Sequence, residues 1–158
     1  KNSSAEQQKR FRKLLNDNFD VRLLGKWALG RHWRKATKIE RAEYLAQFEE
    51  FLIATYSKRF RQLTTEKINV ASATSRSSRL AIVHSRLIRE SNKPVRIDWR
   101  VAYPRGKYKI VDIIVEGISM LQTQRSEFGS VIRQNGGKVS GLTAALHDKT
   151  ESLKKRRK

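Results

Sequence analysis

The sequence has 158 residues, a formal net charge of +20 from 35 lysines and arginines against 15 acidic residues, and no cysteine. This length fits one domain with a core of its own, and the lack of cysteine excludes disulfides and thiolate metal sites. The longest apolar run, residues 110–115, contains Asp112 and is far shorter than the roughly 18 residues of a membrane-spanning helix. The charge favours an anionic partner, such as nucleic acid, an anionic membrane surface or an acidic protein.

The first third of the sequence predicts three helices. The first begins near Ser4 and the second at Asp20. The third is the clearest, because Thr37 and Glu40 have the spacing of a capping box that opens a helix over residues 38–62. Its apolar side chains recur at steps of three and four, which is typical of one buried helix face: Tyr44, Leu45, Phe48, Phe51, Leu52 and Tyr56.

The middle of the sequence changes to a period of two, which predicts strands. Four strands are expected, over residues 67–72, 80–89, 95–103 and 107–116. Short turns at 91–94 and 104–106 join the last three strands into an antiparallel meander. In the third strand the odd-numbered residues are apolar or aromatic, whereas Arg96, Asp98 and Arg100 share the other face, so one face of the sheet should be polar.

Helical spacing returns after Gly117, with Leu121, Phe128 and Ile132 on one stripe, and a short helix over 139–146 follows. Residues 149–158 are rich in lysine and arginine and are expected to be a frayed basic tail. We therefore predict one domain over residues 1–148 and a tail over 149–158. The order of elements predicts an α+β fold, with helices packed on one face of a curved antiparallel sheet.

Three segments resemble the MlaC/toluene-tolerance family. The first runs from Leu29 to Thr37 as Leu-Gly-Arg-His-Trp-Arg-Lys-Ala-Thr and continues with Arg41, Phe48 and Thr55-Tyr56. The second covers residues 108–119, and the third is Arg-Ser-Glu-Phe at 125–128. Together they span residues 14–147 in the family's order.

The resemblance implies an NTF2-like fold that encloses an apolar pocket, and a periplasmic phospholipid-binding protein rather than an enzyme. Members of the family shuttle phospholipid between an outer-membrane lipoprotein complex and an inner-membrane ABC transporter complex, in the pathway that maintains outer-membrane lipid asymmetry. The expected partners are therefore phospholipid, these two complexes and, transiently, the membrane surface. We expect a monomer with no cofactor besides its lipid cargo. A branch of the family is associated with hopanoids, so a polycyclic lipid is an alternative cargo.

A lipid carrier needs apolar side chains on two facing surfaces, and the third helix and the meander can supply them. The candidate lipid-binding residues are Leu29, Trp33, Phe48, Phe51, Leu52, Tyr56, Val83, Leu87, Ile97, Trp99 and Val101. The same periodicity is also that of an ordinary core, and the spacing does not separate the two. Arg31, Arg34 and Lys35 are candidates for the mouth of the pocket, where they could meet anionic head groups.

Other interpretations of the sequence remain open. The charge and the tryptophans would also suit a nucleic-acid-binding module, although the resemblance implies no nucleic-acid partner. An NTF2-like enzyme would need a titratable group inside the cavity. The three histidines lack metal-ligand spacing, so no metal site is expected. Asp112 and Glu116 would lie roughly 13 Å apart along one strand, too far for a catalytic pair, and we expect them to pair with arginine or lysine on neighbouring elements, for example Arg100 or Arg125.

Overall fold

The structure is a computed structural model that describes residues 4–63, 66–90 and 92–156, without the side chains of 61–63. The helices are α1 (Ser4–Asn18), α2 (Val21–Leu29), α3 (His32–Lys35), α4 (Lys38–Leu63), α5 (Met120–Gln134) and α6 (Val139–Lys155). The strands are β1 (Lys67–Ser77), β2 (Leu80–Arg89), β3 (Asn92–Ala102), β4 (Lys109–Val115) and β5 (Ile118–Ser119), and a 3₁₀ turn, Pro104–Gly106, joins β3 to β4.

The five strands form one sheet in the order β1-β2-β3-β4-β5, and every neighbouring pair is antiparallel. This confirms the predicted α+β fold and its meander. On the β4 side, Phe19 forms a parallel bridge with Ile110, so the chain between α1 and α2 also lies against that strand. On the opposite side, β1 is an edge strand and all of its residues are exposed.

Local hydrogen bonds explain where the helices begin. The Thr37 hydroxyl accepts from the Glu40 backbone N–H at 3.1 Å, and the Glu40 carboxylate accepts from the Thr37 N–H at 2.8 Å, so the predicted capping box is confirmed. Asp20 caps α2 in a similar way, because its carboxylate accepts from the Leu23 N–H at 3.0 Å.

The helices share a core of their own, which we call the helical core. Its buried members come from α2 to α6 and from the residue that follows α3: Ala28, Leu29, Trp33, Ala36, Tyr44, Phe48, Phe128, Ile132, Val139, Leu142 and Leu146. Phe128 meets Tyr44 and Phe48 edge to face, with ring centroids 6.2 and 6.1 Å apart. A smaller cluster of Phe11, Leu15 and Ile53 fixes α1 on α4.

Gly25 allows α2 to approach α4 closely. A Cβ added there would lie 2.6 Å from Leu45 Cδ2 and 3.1 Å from Phe48 Cδ1. The close approach also brings the Tyr44 hydroxyl within 2.8 Å of the Gly25 carbonyl, to which it donates. Burial raises the pKa of Tyr44, so this hydroxyl keeps its proton and remains a donor.

The structure corrects the prediction for the C-terminal segment. Helix α6 does not end at residue 146 but continues to Lys155, so residues 149–155 are not a frayed tail. Thr150 is buried in this extension, and Lys154 forms ion pairs with Glu50 of α4 and with Glu151. The last two residues of the predicted tail lie outside the described residues.

The strands also differ from their predicted bounds. β1 extends to Ser77, five residues beyond the predicted end, and β3 already begins at Asn92. Most of the predicted turn at 91–94 is therefore strand, while Ser91 lies outside the described residues. The short elements α3 and β5 were not predicted, because each is too short to show a period.

Candidate functional site

One face of the central strands carries uncharged side chains in successive rows across the sheet. Each row contains the residues that face one another on β2, β3 and β4. The rows are Leu87 and Val95; Ser85, Ile97 and Val115; Val83, Trp99 and Ile113; and Ala81, Val101 and Ile110. We call this surface the apolar face. A sheet with one apolar and one charged face turns the apolar one away from water and toward the helices.

The two polar groups on the apolar face are bonded to each other. The Trp99 indole N–H donates to the Ser85 hydroxyl at 2.9 Å, and that hydroxyl donates to the Ile97 carbonyl at 2.7 Å. Ser85 is buried, so its hydroxyl needs these partners to offset the loss of water. The indole and the hydroxyl thus engage each other and a backbone carbonyl, which leaves an apolar surface toward the helices.

The helical side of the site is the stripe on α4. Phe51 and Leu52 are half-buried and pack against the helical core, while Tyr56 is half-buried beside the smaller cluster. Burial is the main cause that raises the pKa of the Tyr56 hydroxyl. The neighbouring Thr55 hydroxyl is buried and has no hydrogen-bond partner within the described part of the chain.

The eleven candidate lipid-binding residues fall into two groups. Leu29, Trp33 and Phe48 belong to the helical core, where other side chains surround them. The other eight line two surfaces: Phe51, Leu52 and Tyr56 on α4, and Val83, Leu87, Ile97, Trp99 and Val101 on the apolar face. The predicted alternation of the third strand is therefore confirmed. Contact of any of these residues with lipid stays a prediction.

The two surfaces are not packed into one core. Among the described residues, both clusters of buried side chains, and the apolar side chains packed against them, come from the helices and the segments that join them. Leu87, Ile97 and Val111 are buried in the sheet but belong to neither cluster. The helices approach the sheet mainly at β4 and β5, whereas β1, β2 and β3 pack closely on their neighbouring strands.

Both apolar surfaces keep part of their solvent access. Val83, Trp99 and Val101 remain half-buried although they lie on the apolar face. Phe51 and Leu52 on α4 are half-buried as well. Protein interiors are normally close-packed, so the large apolar side chains that stay accessible on these two surfaces are not fully covered by the protein itself. Such an arrangement can bind hydrocarbon, and it needs no reactive side chain to do so.

The opposite face of the sheet holds an ionic network that the sequence pattern did not predict. The Asp98 carboxylate lies 2.9 Å from His84 Nδ1 and accepts from the Arg96 guanidinium at 2.6 Å, while His84 Nε2 lies 3.1 Å from the Thr74 hydroxyl. Burial pushes the pKa of Asp98 up, but the hydrogen bonds and charges of Arg96 and His84 outweigh burial and hold it below its usual value. The network ties β1, β2 and β3 together.

Asp112 has a structural role that differs from the predicted one. Its carboxylate accepts from the Ser119 hydroxyl and from the backbone N–H groups of Ile113 and Leu121, and thereby fixes the entry into α5. The predicted pairing with Arg100 or Arg125 is therefore wrong. Arg125 instead donates to the Trp27 carbonyl at 3.0 Å.

Glu116 is bonded to an arginine of the neighbouring strand, although not to Arg100 or Arg125: its carboxylate accepts from the Arg96 backbone N–H at 2.6 Å. That bond joins the end of β4 to β3. Asp112 in β4 and Glu116 just after it thus hold the sheet and α5 in place.

The cations predicted at the pocket mouth lie on or beside α3. Arg31, Arg34 and Lys35 are exposed. They surround the buried His32, whose pKa is lowered first by burial and then by the charges of Arg31, Lys35 and Arg133. Within the described residues no group of three or more histidine or acidic side chains could hold a metal ion. None of the described helices is both long and apolar enough to cross a membrane.

The sequence and the fold are both similar to those of known proteins. The family model described as "MlaC protein" matches residues 1–148. Among solved structures, the fold is similar to that of the phospholipid-binding protein from Ralstonia solanacearum, which was determined in complex with a phospholipid. The two chains are 25% identical and superpose with a TM-score of 0.80, over 93% of this chain and 83% of the other.

Proposed function

The chain belongs to the MlaC family, and from that premise we propose that it carries a phospholipid, with the acyl chains held between α4 and the apolar face. The observation that supports this most directly is the separation of the two apolar layers, because Leu87 and Ile97 are buried on the sheet without joining the helical core. The similar protein from Ralstonia solanacearum binds a phospholipid in the same fold.

Carriage follows from the cost of moving hydrocarbon through water. Each methylene transferred from an apolar medium to water costs about 0.8 kcal/mol, so two long acyl chains represent on the order of 20 kcal/mol. A carrier must therefore offer a surface as apolar as the bilayer. The bonded pair of Ser85 and Trp99 serves this purpose, because it leaves no free donor facing the chains.

The candidate residues have different parts in this proposal. Phe51, Leu52 and Tyr56 form one wall of the pocket, and the apolar face with Val83 and Trp99 forms the other. Leu29, Trp33 and Phe48 stand behind the first wall and keep α4 rigid. The unpartnered Thr55 hydroxyl could donate to an ester carbonyl of the lipid.

The family supports a finer proposal for where the carrier works. We propose that it moves phospholipid through the periplasm, between an outer-membrane lipoprotein complex and an inner-membrane ABC transporter complex. Because the carrier and the bilayer are similarly apolar, transfer would be nearly balanced in free energy and could run in either direction. Arg31, Arg34 and Lys35 are exposed beside α3 and suit contact with an anionic head group.

Three alternatives have weaker support. The net charge of +20 is the observation in favour of nucleic-acid binding; however, the candidate stacking side chain Trp33 is buried in the helical core. A hopanoid would need a wider space than paired chains do, and it remains an alternative cargo. Neither the apolar face nor the α4 stripe offers the titratable acid–base pair that an NTF2-like enzyme would require.

Native mass spectrometry of the purified protein, followed by extraction and identification of the lipid, tests the proposal. A diacyl phospholipid should copurify in near-stoichiometric amount. Val83→Trp should crowd the pocket and reduce the bound lipid, whereas Ile82→Trp, on the opposite face of the same strand, should not. If folded Val83→Trp retains its full cargo, the pocket does not lie at the apolar face. If the wild-type protein carries a polycyclic lipid instead, the hopanoid alternative holds.

A further inference from the structure

Two loops meet at one end of the sheet. One is the turn between β1 and β2, and the other is the connection between β3 and β4. The backbone N–H of Tyr103 donates to the Arg79 carbonyl at 3.0 Å, which fixes the second loop against the first. Arg105 and Gly106 adopt positive φ angles of 53° and 78°, so the second loop turns tightly at its tip. We call this region the tyrosine end.

Two aromatic rings project from the tyrosine end. Tyr103 is 41% exposed and Tyr108 is 73% exposed, and their ring centroids lie 4.7 Å apart. Neither ring belongs to the helical core or the smaller cluster. Tyrosine suits a boundary between water and an apolar phase, because its ring is apolar and its hydroxyl can stay hydrated.

The charge of the tyrosine end has one sign. Residues 74–82 and 100–109 contain Arg76, Arg79, Arg105 and Lys107 among other cations, and no acidic residue. Within the described part of the chain, no carboxylate forms an ion pair with Arg76, Arg79 or Arg105.

One carboxylate does lie nearby. Asp17 is close enough to Lys107 and Lys109 for their charges to help lower its pKa, but its hydrogen bond with Lys13 is the largest cause. Lys109 itself donates to the carbonyls of Asn16 and Asp17, at 3.0 and 2.7 Å. Asp17 is therefore already engaged, and the cations on the two loops outnumber it.

We propose that the tyrosine end docks the protein on an anionic lipid bilayer, an inference that rests on the proposed lipid carriage. The cations are attracted to anionic head groups, and the two rings enter the interfacial layer beside them. Tyr103 lies two residues after Val101, the last residue of the apolar face on β3, so docking here would bring the end of that face to the bilayer. Acyl chains could then pass between membrane and pocket along an apolar surface.

An acidic protein surface would also attract these cations, but the observations favour a bilayer. The end presents just two ring side chains and long flexible cations on two turns. It offers no exposed aliphatic patch between Tyr103 and Tyr108 that could form the dry centre of a protein interface. Amphipathic rings flanked by cations are instead the pattern expected at a head-group layer.

Cosedimentation with vesicles tests the electrostatic part. The probes are vesicles of phosphatidylglycerol mixed with phosphatidylcholine, and vesicles of phosphatidylcholine alone. The lipid-loaded full chain should bind the anionic vesicles and bind the neutral ones weakly. The double variant Arg105→Ser, Lys107→Ser should bind the anionic vesicles more weakly by roughly fivefold for each cation removed. A matched double variant, Lys138→Ser with Lys149→Ser, removes the same charge at α6, which packs on α4 and α5, and should bind almost as well as the wild type.

The aromatic part has a different signature. The double variant Tyr103→Ser, Tyr108→Ser keeps the charge, so it should bind vesicles more weakly than the wild type even at high salt. The Arg105→Ser, Lys107→Ser variant should differ from the wild type at low salt but no longer at high salt, because salt screens the charges. Because the chain has no cysteine, a polarity-sensitive dye can be attached at a single site. The dye at Ser78→Cys should shift to the blue on anionic vesicles, whereas the dye at Ser140→Cys, at the start of α6, should not.

Three results would overturn the docking proposal: equal losses in the two charge variants, a dye at Ser78→Cys that stays in water on bound vesicles, or tight capture by an acidic protein without vesicle binding. Lipid cargo is measured on the same samples by native mass spectrometry. If the protein carries lipid but does not dock through this end, the docking inference alone is rejected. If the wild-type protein carries no lipid, the proposed function is rejected.

Discussion

The helices and the sheet of this protein are packed very differently. In the helical core, Tyr44 and Ile132 are completely buried and the aromatic rings of α4 and α5 interlock. On the apolar face, Val83 and Trp99 stay half-buried, and β1 is exposed on both of its sides. The contrast suggests that the helices supply most of the stability, while the sheet supplies a surface whose partner is not the protein itself.

The largest difference should appear between a phenylalanine inside the helical core and one on the half-buried wall of α4. Phe128→Ala removes a ring that is 3% exposed and meets Tyr44 and Phe48, so it should lower the free energy of unfolding by about 4 kcal/mol. Phe51→Ala, at the half-buried wall of α4, should cost about half as much or less in lipid-free protein. Urea unfolding of both variants checks this, and equal losses would mean that the wall of α4 is packed as tightly as the helical core.

The junction between the regions should also be sensitive. Asp112→Ala removes the carboxylate that accepts from Ser119, Ile113 and Leu121. Because it leaves buried donors without a partner, it should cost about 2 kcal/mol in urea unfolding. Asp148→Ala is the matched control, since this aspartate is exposed on α6, and it should change stability by less than about 0.5 kcal/mol. Similar effects of the two substitutions would contradict the role given to Asp112.

A smaller loss is expected on the apolar face itself. Ser85→Ala removes the acceptor of the Trp99 indole N–H, so it should destabilise the lipid-free protein by about 1 kcal/mol. The near-ultraviolet circular dichroism of tryptophan should change as well, because the ring loses its fixed orientation. Ser72→Ala on the exposed strand β1 should leave both measurements unchanged. An unaltered tryptophan signal in Ser85→Ala would mean that the bond does not orient Trp99.

The smallest expected effect is on the stability at acidic pH, and it concerns Asp98 on the charged face of the sheet. The folded pKa of Asp98 lies below its usual value, so the stabilisation from Arg96 and His84 is present above the unfolded pKa of about 4 and is lost as pH falls through the folded pKa. Asp98→Asn should therefore be less stable than the wild type at neutral pH, and the gap should narrow below about pH 4. The check is the free energy of unfolding of both proteins, measured by urea titration at several pH values. A difference between them that stays constant down to strongly acidic pH would mean that ionised Asp98 does not stabilise the fold.

The sequence predicts the secondary structure best where a period is long and uninterrupted. The stripe from Tyr44 to Tyr56 and the alternation from Val95 to Val101 are both found in the structure. The second half of β1 was missed because residues 71–77 are small or polar and show no alternation. The extension of α6 could have been found, since Leu146 and Leu153 are seven residues apart and continue its stripe.

The site is harder to predict than the fold for a physical reason. Periodicity identifies which side chains point away from water, but Trp33 in the helical core and Trp99 on the apolar face carry the same apolar signal. Whether a facing layer closes on such a residue depends on the distance between layers, which is set by all helices together. Likewise, the three donors around Asp112 are backbone and hydroxyl groups, which no pattern of charges reveals.

Quenching of tryptophan by brominated lipid tests the central claim most directly, because the chain has only three tryptophans. One variant, Trp27→Phe with Trp33→Phe, keeps only Trp99. Its control, Trp27→Phe with Trp99→Phe, keeps only Trp33. Both are loaded with a phospholipid brominated along its acyl chains. We expect Trp99 to lose most of its fluorescence, while Trp33 in the helical core loses little. Unquenched Trp99 in protein shown to carry the lipid, or stronger quenching of Trp33, would contradict a pocket between α4 and the sheet.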